Sequence, residues 1–107
     1  MSKVNFSGGV SMDPVPPATG DNITLSYTGL LAQSGADRVF AHVGYGSPQS
    51  WFNVKDVEMR KLGSTTFSTT VRVDASDNLQ VCFKDSAGNW DNNNGRNWGS
   101  VVNSNYR

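Results

Sequence analysis

This 107-residue chain has one cysteine, one histidine and no excess of either charge. The single cysteine, Cys82, permits no internal disulfide and leaves the redox compartment open. Lysine plus arginine and aspartate plus glutamate number nine each, so the formal net charge is zero. The chain therefore lacks the basic excess typical of proteins that bind nucleic acid or anionic membranes. We expect a neutral ligand, with neither nucleic acid nor membrane as a partner.

Long apolar segments are also missing. No run is long enough to cross a bilayer, and the first residues lack the apolar segment of a secretory signal. The length suits one domain that buries a single core without metals or disulfides. We therefore expect residues 1–107 to form a single module and to be monomeric.

What the chain has in quantity is strand-like alternation between turn signals. Clusters of Gly, Pro, Asn, Asp and Ser recur about every 8 to 12 residues, and the intervening segments are rich in β-branched and aromatic residues. Apolar residues in these segments alternate with polar ones, as in strands that bury one face. The alternating apolar series are Ile23, Leu25 and Tyr27; Val39, Ala41 and Val43; Phe67, Thr69, Val71 and Val73; and Leu79, Val81 and Phe83. This pattern predicts an all-β protein built as an antiparallel sandwich.

Two segments are less regular. Residues 56–62 place Val57 and Met59 two apart, which predicts an extended segment, although the charged residues there suit a helix as well. Residues 13–17 contain three prolines, which cannot donate to a sheet ladder. This segment is therefore predicted to be a loop after a short first strand at residues 9–12.

Two predicted loops hold tryptophan among polar residues. Residues 44–53 contain Trp51, and residues 85–98 contain Trp90 beside amides and carboxylates. Loops on a rigid scaffold commonly hold binding residues. A sugar ring suits this combination, because its C–H face packs on an aromatic plane and its hydroxyls need Asn, Asp, Gln or backbone partners. These loops therefore favour a carbohydrate site.

Five stretches together resemble a known family. They are residues 42–46 (His-Val-Gly-Tyr-Gly), Trp51, Met59, residues 83–85 (Phe-Lys-Asp) and residues 90–95 (Trp-Asp-Asn-Asn-Asn-Gly). The set resembles the starch-binding carbohydrate-binding modules of family 25. The resemblance implies an immunoglobulin-like β-sandwich that binds starch or glycogen (α-1,4-glucan) and maltooligosaccharides, with no catalysis and no cofactor. The location depends on the context of the module: we expect it to be extracellular if the module is excised from a secreted amylase and cytoplasmic if it stands alone.

The same resemblance implies particular site residues. An imidazole and two indoles form the family's sugar platform, and the matching positions are His42, Trp51 and Trp90. Asp91 and Asn92 are the best candidates for hydroxyl partners among the neighbouring amides and acids. The alternatives are that the indoles pack beneath long loops and that His42 is a sheet residue without a function.

Neighbouring residues receive supporting roles. Trp98 comes where the last strand should begin, which favours packing over binding. Tyr45 and Phe52 flank the platform candidates and are expected to support them. Lys55 and Gln49 are further candidate contacts.

An enzyme is the second class of function, and the sequence argues against it. A glycosidase needs two carboxylates across the scissile bond, with separated pKa values. Asp85 and Asp91 share a loop, but one small sandwich can hardly form the deep cleft required. We expect no catalytic residue. Calcium is a structural alternative at residues 74–78 and 91–94, although the pattern of an EF-hand is missing, and we expect no metal site.

A domain that binds protein or single-stranded nucleic acid is the third class. Aromatic platforms also stack bases, and a local basic patch of Lys55, Arg60 and Lys61 would serve such a ligand. Steep salt dependence would identify nucleic acid, whereas binding of a neutral sugar should hardly respond to salt.

Overall fold

A computed structural model describes residues 2–103 of the chain. Within this range nearly all regular structure is strand. The strands are β1 (Ser2–Phe6), β2 (Val10–Val15), β3 (Asn22–Tyr27), β4 (Val39–Ser47), β5 (Ser50–Glu58), β6 (Arg60–Lys61), β7 (Phe67–Arg72), β8 (Leu79–Asp85), β9 (Trp90–Asp91) and β10 (Trp98–Ser100), and the short helix α1 (Leu30–Gln33) lies between β3 and β4. In residues 2–103, no helix is long and apolar enough to span a membrane.

The strands form two antiparallel sheets that pack as a sandwich. The first sheet has the order β1-β2-β3-β7-β6, and the second has the order β10-β8-β4-β5, with β9 also paired to β8. Both sheets contribute to one apolar core. The predicted antiparallel β-sandwich is therefore confirmed, while the immunoglobulin-like form of it remains a prediction.

Burial follows the alternation of the sequence. Ile23, Leu25 and Tyr27 on β3 are fully buried, and the residues between them are exposed or half-buried. The strand β8 differs because Gln80 and Cys82, predicted to face outward, are also buried. This strand is central in its sheet, and the side-chain amide of Gln80 donates to the Gly46 carbonyl oxygen at 2.8 Å.

The proline-rich segment corrects one prediction. β2 continues through Pro14 to Val15, and β1 is an additional strand paired with it. Val4 pairs with Met12 while Ser2 pairs with Val15, so the register shifts and a bulge accommodates the extra residue. Pairing of β2 with β3 ends at Asp13. Pro14 thus lies where no ladder donor is required, which is where strands tolerate proline.

The structure also corrects the prediction that residues 44–53 form a loop. It is the end of a hairpin between β4 and β5, and only Pro48 and Gln49 separate the two strands. Gly46 has a φ of 114° and Asn53 a φ of 51°, and the register shifts between Val43 and Tyr45. The turn-forming residues therefore produce a bulge and a tight connection, not a loop.

The remaining predictions fall close to the observed elements. Residues 56–62 are extended, as β5 and β6 joined at Met59, which is buried and donates its backbone N–H to the Val39 carbonyl at 2.9 Å. The chain passes there from the second sheet to the first. β10 begins at Trp98 as predicted, but β9 interrupts the loop predicted for residues 85–98.

Candidate functional site

Three aromatic rings gather on the outer face of the second sheet. His42 lies on β4, Trp51 on β5 and Trp90 on β9. The His42 ring centroid is 5.4 Å from that of Trp51, at an interplanar angle of 33°, and 5.0 Å from that of Trp90, at 89°. We call these three residues the ring cluster. The residues that the sequence predicts for a platform are therefore adjacent in the fold.

The hairpin holds Trp51 against the sheet. The indole Nε1 donates to the Pro48 carbonyl oxygen at 3.0 Å. A Cβ added to Gly44 would lie 2.8 Å from Cε3 of the indole, so the ring lies directly over the backbone of Gly44. A glycine at this position of β4 is thus required for the close approach of the indole.

An ionic network connects His42 with Trp90. Nδ1 of His42 is 2.5 Å from Oδ1 of Asp56, and Lys84 Nζ is 2.7 Å from the other carboxylate oxygen of Asp56. The Lys84 ammonium also lies 5.3 Å from the ring centroid of Trp90, a cation–π distance. Asp56 thereby fixes one ring directly and restrains the position of the other through Lys84.

This network also determines the charge state of Asp56. Burial by itself raises the pKa of the carboxyl group, but the hydrogen bonds and charges of Lys84 and His42 together lower that pKa below its ordinary value. Asp56 is therefore a carboxylate at neutral pH. It is an acceptor that holds its neighbours and not a reservoir of protons.

Asp91 faces inward toward a buried tyrosine. Tyr27 donates its phenolic hydrogen to Oδ2 of Asp91 at 2.5 Å, and the backbone N–H of Leu31 donates to the same phenolic oxygen at 3.0 Å. Burial, and then the hydrogen bond to Asp91, raise the pKa of Tyr27. This contact attaches β9, and with it Trp90, to the first sheet. A sugar contact by Asp91 stays a prediction.

Asn92 is exposed and shapes the turn that follows β9. Its side-chain oxygen accepts the backbone N–H of Gly95 at 3.1 Å, and its carbonyl oxygen accepts that of Asn97 at 2.8 Å. Asn93 and Asn94 in the same turn have positive φ values of 57° and 58°. The role of Asn92 as a hydroxyl partner also stays a prediction.

The residues expected to flank the platform differ in location. Tyr45 is fully buried and its phenolic oxygen accepts the backbone N–H of Asp74 at 2.8 Å, so it belongs to the core. Phe52 is 43% exposed, and its ring is 6.0 Å from that of Tyr45. Lys55 donates to a carboxylate oxygen of Asp74 at 3.0 Å, while Gln49 lies in the exposed turn of the hairpin.

Trp98 is a core residue, as predicted. Its side chain is 4% exposed, and its ring lies 5.5 Å from that of Phe83. The indole N–H donates to the Ser7 carbonyl oxygen at 2.9 Å, which joins β10 to the turn after β1. This tryptophan therefore closes one edge of the sandwich.

Sequence reasoning missed Asp56 and Lys84. Both lie on strands identified as extended, at positions of outward parity, but their proximity depends on the register between β5, β4 and β8. Asp56 is directly opposite His42, and Lys84 is opposite Phe40. The parity of each strand was readable from the sequence, whereas the register between strands distant in the chain was not.

Cys82 and Asp74 are two further residues with reactive or ligating side chains, of which the first is buried and the second is ion-paired. The Cys82 thiol is buried, and burial, followed by the nearby charges of Asp56 and Asp91, raises its pKa to about 11. Across residues 2–103, no three side chains of His, Cys, Asp or Glu are grouped so that they could hold a metal ion. Asp74, in one of the stretches considered for calcium, pairs with Lys55 and Arg72.

Comparison with known proteins identifies the family. The model of the starch/carbohydrate-binding modules of family 53 matches residues 23–80, more than half of the chain, a segment that contains His42 and Trp51. An alpha-amylase of Clostridium acetobutylicum is 34% identical over 90 residues, which are 83% of this chain and 11% of that protein. No solved structure matches. The resemblance to family 25 is supported at the level of a starch-binding module, and the chain belongs to the starch/carbohydrate-binding modules of family 53.

Proposed function

We propose that the ring cluster of His42, Trp51 and Trp90 binds α-1,4-linked glucan, as starch, glycogen or maltooligosaccharide. The proposal rests on one observation: the three rings meet on the outer face of the second sheet, where the ring centroids of Trp51 and Trp90 lie 5.4 Å and 5.0 Å from that of His42. The imidazole-and-indoles platform of family 25 supports this finer assignment, and the family 53 description supports the ligand class.

The angles between the rings favour an α-glucan over cellulose. His42 is inclined by 33° to Trp51 and by 89° to Trp90, so the cluster presents surfaces that are not coplanar. An α-1,4-linked chain curves, whereas cellulose is flat and needs a row of parallel rings. We therefore expect binding of maltooligosaccharides and amylose and little binding of cello-oligosaccharides.

The polar groups around the rings are the proposed partners of sugar hydroxyls. Asn92 is exposed on the turn after Trp90. Oδ2 of Asp91 accepts the Tyr27 hydroxyl, and Oδ1 accepts the backbone N–H of Asn93 at 3.4 Å and can accept one further hydrogen bond. Lys84 and Asp56 lie beside the rings and can donate to and accept from hydroxyls. Because such contacts are few and open to water, we expect Kd values from micromolar to millimolar, about 4 to 8 kcal/mol.

The electrostatics of the cluster favour binding without catalysis. A glycosidase needs a general acid whose pKa is raised and a second carboxylate whose pKa is low. The pKa of Asp56, which is hydrogen-bonded to His42, is lowered, because His42 and Lys84 stabilise its ionised form. The carboxylate of Asp91 accepts a hydrogen bond from Tyr27. Both groups are thus used to position rings, and we propose that the chain performs no hydrolysis.

We further propose that residues 1–107 act as one monomeric module of a larger amylolytic enzyme. The chain spans 11% of the alpha-amylase relative, and the name alpha-amylase describes that whole protein. The basic patch considered for nucleic acid gains no support, since Lys55 lies on β5 of the second sheet and pairs with Asp74, whereas Arg60 and Lys61 lie on β6 of the first sheet.

A pull-down on insoluble starch and on cellulose tests the proposal. The wild-type chain should be retained on starch and pass through cellulose, and Trp51→Ala and Trp90→Ala should both lose starch retention. Leu62→Ala is the control, because Leu62 is an exposed apolar residue that follows β6 of the first sheet and lies outside the ring cluster. Equal retention on both polymers would remove the α-glucan assignment, and undiminished starch binding by both tryptophan variants would remove the ring cluster from it.

A further inference from the structure

A groove of about 640 Å³ continues from the ring cluster on the far side of His42 from Trp51. Its lining includes Phe40, which precedes His42 by two residues on β4 and so projects from the same face of the sheet. The volume lies within the range of about 300–1,000 Å³ that is typical of small-molecule sites. Asp56, Lys84 and Trp90 are shared with the ring cluster and its ionic network, whereas Arg38, Phe40 and Glu58 lie outside it.

One side of the groove is an ordered ion pair. Arg38 donates to both carboxylate oxygens of Glu58, with Nε–Oε2 and Nη2–Oε1 distances of 2.9 Å each. The Arg38 guanidinium also lies 5.3 Å from the centroid of the Phe40 ring. A bidentate pair holds both side chains in one geometry, so donors and acceptors are already oriented beside an aromatic surface.

The opposite side is formed by Trp90 and the turn between β8 and β9. Asp85 organises this turn, because its carboxylate accepts the backbone N–H groups of Ala87 and Asn89 and the side-chain amide of Asn89. Trp90 thus stands on a well-anchored turn and lines the groove as well as the ring cluster.

The lining combines aromatic surface with paired charges of both signs. Phe40 and Trp90 offer apolar surface, while Arg38, Glu58 and Lys84 offer donors and acceptors within ion pairs. A neutral polyol with apolar C–H faces fits this chemistry better than an ion, which would disrupt the pairs. Asp56, Lys84 and Trp90 belong to both the groove and the ring cluster, so a chain bound to the cluster can extend directly into the groove.

We propose that this groove is an additional subsite that accepts further glucosyl units of the α-glucan chain held by the ring cluster. The inference rests on the proposed function, since it assumes that the cluster binds the same chain. It assigns to Phe40, Arg38 and Glu58 a role in preferring long chains over short ones.

Titration calorimetry with maltotriose and maltoheptaose tests the subsite. The wild-type chain should bind the heptaose more tightly than the triose. Glu58→Gln and Phe40→Ala should each weaken heptaose binding about threefold to tenfold and leave triose binding unchanged. This range is expected for a weakened hydrogen bond in the first variant and a lost aromatic contact in the second. Asp13→Asn, the same type of substitution as Glu58→Gln on an exposed residue of the other sheet, should change neither affinity.

Backbone amide shifts provide a second measurement. Signals of residues 38, 40 and 58 should move with maltoheptaose and remain in place with maltotriose.

Longer oligosaccharides also bind in more overlapping positions, so only the part of the gain in affinity that the groove variants lose belongs to the subsite. If Phe40→Ala melts early, Glu58→Gln decides, because the Glu58 side chain is half exposed.

The outcomes separate the two proposals. Groove variants that bind both oligosaccharides as the wild type does would overturn the subsite and leave the ring cluster as the site. A wild-type chain that binds neither oligosaccharide would overturn the proposed function and the subsite with it.

Discussion

The three tryptophans occupy three different environments. Trp98 is 4% exposed and hydrogen-bonded across the sandwich, Trp90 is 49% exposed beside the Lys84 ammonium, and Trp51 is half-buried over Gly44. Buried aromatic area stabilises the fold, whereas exposed aromatic area held by neighbours is available to a ligand. We therefore expect the same residue type to serve stability at Trp98 and ligand binding at Trp51 and Trp90.

Substitution should separate these roles. Trp51→Ala and Trp90→Ala should each weaken starch binding by about 2 kcal/mol or more with an almost unchanged Tm. Trp98→Ala should lower the free energy of unfolding by about 3 to 5 kcal/mol, because it leaves a cavity in the core. His42→Ala should behave like the two exposed tryptophans. Melting curves and starch affinities for the four variants check the assignment, which fails if Trp51→Ala and Trp90→Ala melt early yet bind normally when folded.

Asp91 is predicted to position Trp90 through its contact with Tyr27. Asp91→Ala should lower the free energy of unfolding by about 1 to 3 kcal/mol, because the buried Tyr27 hydroxyl loses its acceptor. Asp91→Asn keeps an acceptor oxygen and should restore much of this loss. Denaturant titration of both variants provides the measurement. An unchanged unfolding free energy with a collapse of starch affinity would contradict the positioning role and leave Asp91 with its proposed sugar contact alone.

At the scale of elements, the β4–β5 hairpin contributes two of the three residues of the ring cluster, His42 and Trp51. Gly44→Ala would place a Cβ 2.8 Å from Cε3 of Trp51, so the indole must move. Overpacking of this kind costs about 1 to 3 kcal/mol, and part of the effect should appear as weaker starch binding. Gly63→Ala is the matched control, because no heavy atom lies within 4 Å of the Cβ it would add. Equal starch affinity of the two variants would exclude this role of Gly44.

The network across β4, β5 and β8 predicts a loss of stability in acid. The pKa of Asp56 is lowered in the folded chain, because its hydrogen bonds with Lys84 and His42 together outweigh the effect of burial. Its contribution to stability is therefore present above the ordinary value of 3.8 and is lost as the pH falls through the lowered pKa. Asp56→Asn should destabilise the chain at neutral pH and flatten this part of the acid dependence. Parallel pH profiles of Tm for both proteins would contradict the prediction.

How much the sequence predicts depends on how far apart the interacting residues lie. The alternation of Ile23, Leu25 and Tyr27 predicts a strand, because one face of the strand is buried and the pattern is local. The sequence predicts a loop at residues 44–53 where the structure has the end of a hairpin, because glycine and proline signal a turn but not its length. Asp56 and Lys84 went unnoticed because their meeting requires the register of three strands.

At the scale of the whole molecule, the charges are balanced in number and paired locally. The sequence contains nine basic and nine acidic residues. Several of them form ion pairs on the surface: Arg38 with Glu58, Lys55 with Asp74, and Lys84 with Asp56. Such pairing produces little long-range field, so diffusional steering of a charged ligand should be weak. A neutral polysaccharide needs no electrostatic steering.

This balance predicts that salt and chelators leave sugar binding nearly unchanged. A protein that neutralises phosphates releases counterions and loses about 10³- to 10⁵-fold in affinity between about 50 and 200 mM salt when it makes 6–10 such contacts. A neutral glucan releases none, so the Kd for maltoheptaose should remain nearly constant over that range. Removal of divalent ions should have no effect either, because the ring cluster and its neighbours offer aromatic surface and ion pairs and not a set of metal-coordinating groups. Calorimetry at several salt concentrations, with and without chelator, provides the measurement. A steep salt dependence would favour an anionic ligand, and a chelator that abolishes binding would make a metal ion part of the site.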